Sequence, residues 1–284
     1  MAKWSMENGI VLLDKDAGMS SRDVDDALEK LFQTKKVGHL GTLDPFATGL
    51  LVIGLNKGTK FLPYLDDSKK SYIATLKLGL HSSTGDPEGE ITPGDPVPEL
   101  TQEGIAEILT SFIGKSEQLP PMTSAIKVNG EALYKAAHRG EVVERKPRAI
   151  EVFSINLVSF AKDEIVFTTT VSRGTYIRVL GEDIAKALKT SGYLTSLRRL
   201  SIGDFRIDLA KKLSELTEKD LMDPTLFIHT MKHIEIDEAD LAKVKNGAPM
   251  TLAQDYGEKV LLVLHVGPLS RRSFNREPVH FGSR

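Results

Sequence analysis

One stretch of this chain concentrates the residues that could do chemistry: Gly38-His39-Leu40-Gly41-Thr42-Leu43-Asp44-Pro45-Phe46-Ala47-Thr48-Gly49. Residues 37–49 break all hydrophobic periodicity with three glycines and one proline, which predicts a structured loop. The loop offers one carboxylate, Asp44, stiffened by Pro45 and flanked by small residues. Two roles suit such an aspartate. It is a turn or cap residue, the commoner case, or it is a presented acid or nucleophile. Phosphate cradling is not expected, because the loop lacks the lysine of a P-loop and the spacing of a dinucleotide loop. Elsewhere the candidates are thinner. With no Cys there is no thiolate nucleophile, disulfide or thiolate metal site. His229 and His233 stand four apart, but no glutamate follows His229 as in a zincin and no third ligand is evident, so no metal is expected. No Gly-x-Ser-x-Gly elbow supports a serine hydrolase.

Elements must hold that loop in place. Ile10 to Leu13 is an aliphatic run bounded by turn residues and predicts a buried strand, as does Leu50 to Leu55 on the far side of the loop. Between them, Ser20 or Ser21 caps a helix whose Val24, Ala27, Leu28, Leu31 and Phe32 fall on one face. Tyr72 to Leu80 alternates as a half-buried strand would, and 81–98 reads as a loop. Ile105, Ile108, Leu109 and Phe112 stripe a second helix; Ala132 to His138 suggests a short one. Ile150 to Phe160 and Ile165 to Ser172 form an apparent hairpin, followed by a helix marked by Ile177, Leu180, Ile184 and Leu188. Residues 207–230 read as helical, acidic connecting material, and Val260 to Val266 as a strand of a small β-rich module. Irregular interleaving with a hairpin favours α+β over a doubly wound parallel sheet.

Length and composition bound the answer. At 284 residues, 40% hydrophobic and 27% charged, the chain is an ordinary globular sequence of about two domains. No apolar run is long enough to span a bilayer and the start is no secretory signal, so a cytoplasmic protein is expected. The net charge of −2 hides segregation. Lys127 to Arg148 carries six Lys/Arg against three Glu, and Arg271 to Arg284 four Arg against one Glu. Such segregation makes a basic face possible on a near-neutral chain; solvated surface is the equal alternative.

The loop as a whole resembles the G-H-x-G-x-L-D-P-x-A-x-G signature of the TruB family of tRNA pseudouridine synthases, and further blocks follow the same order. Asp14-Lys15, Gly18 and Ser20-Ser21 resemble its D-K-P-x-G-x-[ST]-S. Gln118-Leu119-Pro120-Pro121 with Ser124-Ala125-Ile126-Lys127, Gly130, Leu133-Tyr134 and Gly140 resembles its Q-x-P-P-x-Y-S-A-x-K block. Arg173-Gly174-Thr175-Tyr176-Ile177-Arg178 resembles [KR]-G-T-Y-I-R, and Leu197-Arg198-Arg199-Leu200 contains its L-R-R. The likeness runs from about Gly9 to Phe205. It departs at Asp16, where proline is usual, at Thr123, where tyrosine is usual, and at His81-Ser82-Ser83-Thr84, where R-T-D-T is expected before Asp86.

The resemblance implies a pseudouridine synthase fold, α+β with a central mixed, largely antiparallel sheet. It implies a catalytic domain over 1–230 and a short C-terminal PUA-like RNA-binding module over 231–284. The implied activity is isomerisation of uridine 55 in the TΨC loop of tRNA, with no cofactor, no metal and no membrane or protein partner, by a monomer. Asp44 is then the nucleophile on a base flipped out of the RNA. Arg178 is the cation that keeps it ionised, and Tyr72 the tyrosine that stacks on the uracil. Tyr176 and Leu197 bracket the base, and His39 helps occupy the place it vacates. Asp86 orients Arg178, and Lys15 supports a loop beside the site. Two alternatives remain at this level: a guide-RNA-dependent relative, and a tRNA-binding folding helper without catalysis.

Overall fold

The computed structural model of the chain describes residues 9–124, 127–128, 131–132, 139, 141, 143–229, 232–246, 248 and 260–264. In chain order the elements are strand β1 (Gly9–Lys15), helix α1 (Ser21–Leu31), β2 (Val37–Leu40), β3 (Thr48–Leu55), β4 (Lys69–Leu78), β5 (Leu80–Ser82), β6 (Ile91–Pro93), α2 (Gln102–Ser111) and β7 (Gly114–Gln118). They continue with β8 (Lys127–Val128), β9 (Glu131–Ala132), β10 (Arg148–Ala161), β11 (Glu164–Ser172), α3 (Ile177–Ala187), β12 (Gly192–Ile202), β13 (Phe205–Arg206), β14 (Lys232–Ile236), α4 (Glu238–Lys245) and β15 (Val260–Leu264).

Among the described residues, nine strands make one sheet in the order β1-β3-β12-β4-β11-β10-β7, with β2 on β3 and β13 on β12. Every pairing in it is antiparallel except β3 with β12, which run parallel through Arg198 opposite Thr48 and Arg199 opposite Gly49. The mixed, largely antiparallel α+β fold expected from the sequence is the fold found.

Burial explains which strands the sequence announced. β1 and β3 are covered on both faces. Val11, Leu13, Leu51 and Ile53 pack against Val24 and Leu28 of α1, while Ile10, Leu12, Leu50 and Val52 pack against Phe61, Leu62 and Phe205. Strands buried on both faces read as unbroken aliphatic runs. β4 instead alternates, with Tyr72, Ala74, Leu76 and Leu78 turned to a core shared with α2 and α3 and the intervening residues only half buried. Helix α1 begins at a capping box: Ser20 Oγ accepts from the Asp23 amide, and the Asp23 carboxylate accepts from the Ser20 amide.

Three expectations need correction. Residues 37–49 are not loop throughout, since Val37–Leu40 pairs with β3 and Thr48 already belongs to β3. Gly38 and Gly41 interrupt the alternation that would have revealed β2. The 81–98 loop contains the short β5–β6 pair. Among the described residues of 207–230 there is no α-helix. They make four 3-10 turns, at Ile207–Leu209, Leu213–Glu215, Glu218–Asp220 and Pro224–Phe227. Extended residues between the turns lie along the free edge of β1, where Ile10 exchanges backbone hydrogen bonds with Met222 (3.0 and 2.8 Å) and Lys211 donates to Leu12 (3.1 Å). The segment covers an edge that would otherwise present unpaired amides.

The proposed helix at Ala132 to His138 lies outside the described residues apart from Ala132, which pairs in β9. Within residues 231–284, expected from the sequence to be a separate module, the described residues include a parallel β14–β15 pair with α4 between its strands in sequence. The arginines of Arg271 to Arg284 lie outside the described residues.

Candidate functional site

The loop bearing Asp44 is anchored from two directions. From the β1–α1 connection, the Ser21 hydroxyl accepts from the Leu43 amide (2.9 Å) and donates to the Leu43 carbonyl (3.0 Å). The Pro45 carbonyl receives the Gly18 amide (2.9 Å) and Lys15 Nζ (3.3 Å). Lys15 is buried, and its ammonium also donates to the carbonyls of Met19 (2.6 Å) and Asp16 (2.9 Å). From β12 comes Arg199, fully buried, whose Nε donates to Leu50 O (2.8 Å), Nη2 to Gly41 O (2.9 Å) and Nη1 to Thr42 O (3.3 Å). One guanidinium thus pins both ends of the loop. Gly49 permits this approach: its φ is +103°, and a Cβ there would lie 2.3 Å from Arg199 O.

Asp44 faces a second arginine. Arg178, in the first turn of α3 and nearly buried, brings Nε to 3.0 Å from Asp44 Oδ2 and Nη1 to 3.0 Å from Asp86 Oδ2. The contact at Nε is an ion pair without hydrogen-bond alignment. Nη1 donates to Thr84 O (2.7 Å) and Thr123 Oγ1 (2.8 Å), and Nη2 to Thr123 O (2.8 Å). Thr123, the departure from the family pattern, is therefore an Arg178 ligand. Asp86 is buried and itself fixed by the Thr84 hydroxyl (2.6 Å) and the Glu88 amide (3.0 Å).

The electrostatics follow from this layout. Burial pushes the Asp44 carboxyl above the usual carboxylate range; Arg178 and Lys15 oppose that rise, and the Asp86 carboxylate adds to it. Burial also drives Lys15 down to about 8, against the attraction of Asp44 and Glu88. The Tyr72 phenol is raised by burial, with Arg199 beside it pulling the other way.

These groups surround a cavity of about 610 Å³, with Asp44, Tyr72, Tyr176, Arg178, Leu197 and His39 in its lining. Tyr72 stands on β4, Leu197 opposite Ala74 on β12, and His39 on β2. Tyr176 is held by Gln118, whose side-chain amide accepts from the Tyr176 N–H (2.8 Å) and donates to its C=O (3.1 Å). His39 is tied at Nδ1 to Asp25 (2.9 Å), with Nε2 at 3.3 Å from Thr42 Oγ1. All six candidate residues from catalysis and substrate binding meet at one cavity, with Lys15 and Asp86 immediately behind it. The arrangement offers an ionisable carboxylate between cations, in the lining of a recess that two aromatic rings and a leucine also line. That suits nucleophilic or electrostatic action on a flat, uncharged ring.

Sequence inspection passed over Arg199, Ser21, Gln118, Thr123 and Asp25 as site residues. The first three were inside quoted motifs but had no function attached, since their partners are distant in sequence. Among the described residues no group of three or more His, Asp or Glu is placed to hold a metal ion, and no helix is long and apolar enough to cross a membrane.

Comparison with known proteins places the chain in a family. Residues 29–177 match the family model described as TruB family pseudouridylate synthase (N terminal domain). A tRNA pseudouridine synthase B from Dechloromonas aromatica is 39% identical over 256 residues, covering 88% of this chain and 85% of the relative. One from Francisella philomiragia is 43% identical over 232 residues, covering 81% and 77%. Among solved structures, a Cbf5-Nop10-Gar1 complex aligns with TM-score 0.67 at 23% identity, covering 91% of this chain and 75% of that one. An H/ACA RNP bound to a substrate RNA containing 2'-deoxyuridine aligns at 0.66 and 21%. At such identities the structural likeness speaks to fold alone.

Proposed function

The chain belongs to the TruB family of pseudouridine synthases, and from that premise we propose that it isomerises uridine 55 in the TΨC loop of tRNA, with Asp44 as the nucleophile. The observation that carries the proposal is the Asp44 carboxylate, 3.0 Å from Arg178 Nε, in the lining of a cavity walled by Tyr72, Tyr176 and Leu197.

The target base is stacked inside a folded RNA loop, so it must be flipped out to reach this cavity. His39, at the rim, helps fill the space left behind; stacking of this kind is worth ~1–3 kcal/mol per base. Inside, Tyr72 stacks on the uracil while Tyr176 and Leu197 bracket it. The N1–C1′ glycosidic bond then breaks, the uracil turns, C5 bonds to C1′, the C5 proton leaves and N1 gains one. The reaction balances with no co-reactant, and the proposal calls for no cofactor. Asp44 acts by adding to uracil C6, by attacking C1′, or by assisting a glycal route, and each begins from the same ionised oxygen. Arg178 keeps that oxygen charged in a site from which the substrate expels water. Tyr72 also helps remove the C5 proton.

Residues 231–284 are assigned in the same proposal to a PUA-like RNA-binding module, and the enzyme to a cytoplasmic monomer. The test is direct: purified protein and a tRNA transcript, with no added cofactor, followed by position-specific mapping. Pseudouridine at position 55 alone is the expected product. Modification elsewhere, or none, would overturn the assignment.

A further inference from the structure

Asp25 is a buried carboxylate that the reaction as described does not use. It sits on α1 with its side chain 4% exposed, between the apolar contacts of Val24 and Leu28. Oδ2 meets His39 Nδ1 at 2.9 Å, and Oδ1 has no hydrogen-bond partner among the described residues. A half-satisfied carboxylate in a core is costly and calls for a reason. On an apolar helix face a leucine would be the stable choice.

The reason lies at the other end of the imidazole. With the carboxylate as acceptor at Oδ2 the proton is assigned to Nδ1, which leaves Nε2 facing Thr42 Oγ1, 3.3 Å away in the cavity lining. Thr42 in turn is held through its carbonyl by Arg199, two residues before Asp44. We propose that Asp25 is a positioning residue: it fixes the ring plane and tautomer of His39, so that His39 meets the RNA pre-oriented when the target base leaves its stack. Without it the ring is free to rotate about χ1 and χ2, and substrate binding must then order it. Preorganisation of this kind appears in binding rather than in the bond-breaking step. The inference rests on the proposed contact of His39 with RNA, and the test separates the two.

The experiment is a double-mutant cycle on full-length protein with tRNA transcript, using Asp25→Leu, Asp25→Asn, His39→Ala and the Asp25→Leu/His39→Ala pair. Leucine suits the apolar surroundings, and thermal melts confirm that each variant folds. Asp25→Leu is expected to raise KM about tenfold with kcat within about twofold, the size of one charge-assisted hydrogen bond. Asp25→Asn, which keeps an acceptor for Nδ1–H, should recover most of that loss. In the His39→Ala background Asp25→Leu should add nothing further. ¹⁵N spectra should show the Nδ1–H form of His39 in the wild type and its loss in Asp25→Leu. If His39→Ala raises KM but Asp25→Leu does not, or if the two effects add, the positioning role is wrong. If His39→Ala leaves KM unchanged, the proposed RNA contact of His39 fails first.

Discussion

The buried cations Lys15, Arg178 and Arg199 differ in whether carboxylates share in holding them. Arg178 has two carboxylates against it, Asp44 and Asp86, each at 3.0 Å, besides its hydrogen bonds to Thr84 O, Thr123 O and Thr123 Oγ1. Arg199, with Lys15 beside the same loop, donates to backbone carbonyls: three for the arginine and three for the lysine. A cation paired with two anions has little field left over, whereas one solvated by neutral carbonyls keeps its charge while it fixes the backbone. The consequence falls on Asp44, which shares Arg178 with a competitor. Arg178 aims the carboxylate, and the carbonyl-bound cations Lys15 and Arg199 add the charge that two anions around one arginine lack. Burying unpaired cations costs stability, and the same two cations give the loop its shape.

The contrast is sharpest where Arg178 is removed. Arg178→Met leaves Asp86 buried without its cation, and breaking a buried pair costs about 3–5 kcal/mol. The turnover number is expected to fall about 100- to 1000-fold, as when one electrostatic partner of the reacting group is lost. The acid limb of the pH–rate profile should also move upward, because activity needs ionised Asp44 and the cation that lowers its pKa is gone. Thermal melts and a pH series measure both.

Arg199→Met should divide differently. It strands no carboxylate, so the stability loss is expected at about 2–3 kcal/mol, visible in denaturant unfolding. The loop that presents Asp44 loses its clamp, and kcat should drop about 100-fold for a misplaced reacting group. A stability loss as large as that of Arg178→Met would break the distinction between the two modes of holding charge.

Ser21→Ala removes one hydroxyl that serves both backbone atoms of Leu43. About 1–2 kcal/mol of stability should go. Activity should fall about tenfold, as for a small displacement of a reacting group, with KM unchanged.

Lys15 gives the smallest effect and the most telling sign. Its pKa is depressed from 10.5 to about 8 in the folded chain. The unfolded chain therefore binds more protons between those values, and stability should rise with pH across that window. Activity should move the other way, falling as the ammonium that holds the Pro45 carbonyl and faces Asp44 is lost above about pH 8. Lys15→Met should abolish both trends. Parallel rather than opposed pH trends would contradict the assignment of Lys15 as a charge held at a cost.

How much of this the sequence displayed depends on the range of the interaction. β1 and β3 were legible because double-sided burial leaves unbroken aliphatic runs, and α1 because Ser20 and its apolar face are local features. Asp44 stood out through the glycines and proline around it. β2 was hidden by Gly38, and the edge-covering 207–230 segment by composition that suits a helix as well as a string of turns. Arg199 was hidden because its partners Leu50, Thr42 and Gly41 lie 149 to 158 positions away. Gln118 and Tyr176, 58 apart, are matched only by the fold. No local pattern distinguishes an arginine that will clamp a loop from one on a solvated face.

The central claim is that the ionised Asp44 carboxylate performs the chemistry. Asp44→Asn is nearly isosteric and keeps hydrogen-bonding capacity, so fold and RNA binding should survive while charge and nucleophilic oxygen are lost. Product is measured by the mass shift of carbodiimide-labelled pseudouridine, alongside a filter-binding titration of the same variant. The prediction is no detectable pseudouridine, with tRNA affinity within about tenfold of wild type, under ~1.4 kcal/mol. Substantial turnover by Asp44→Asn would show that Asp44 only shapes the turn, and would contradict the mechanism.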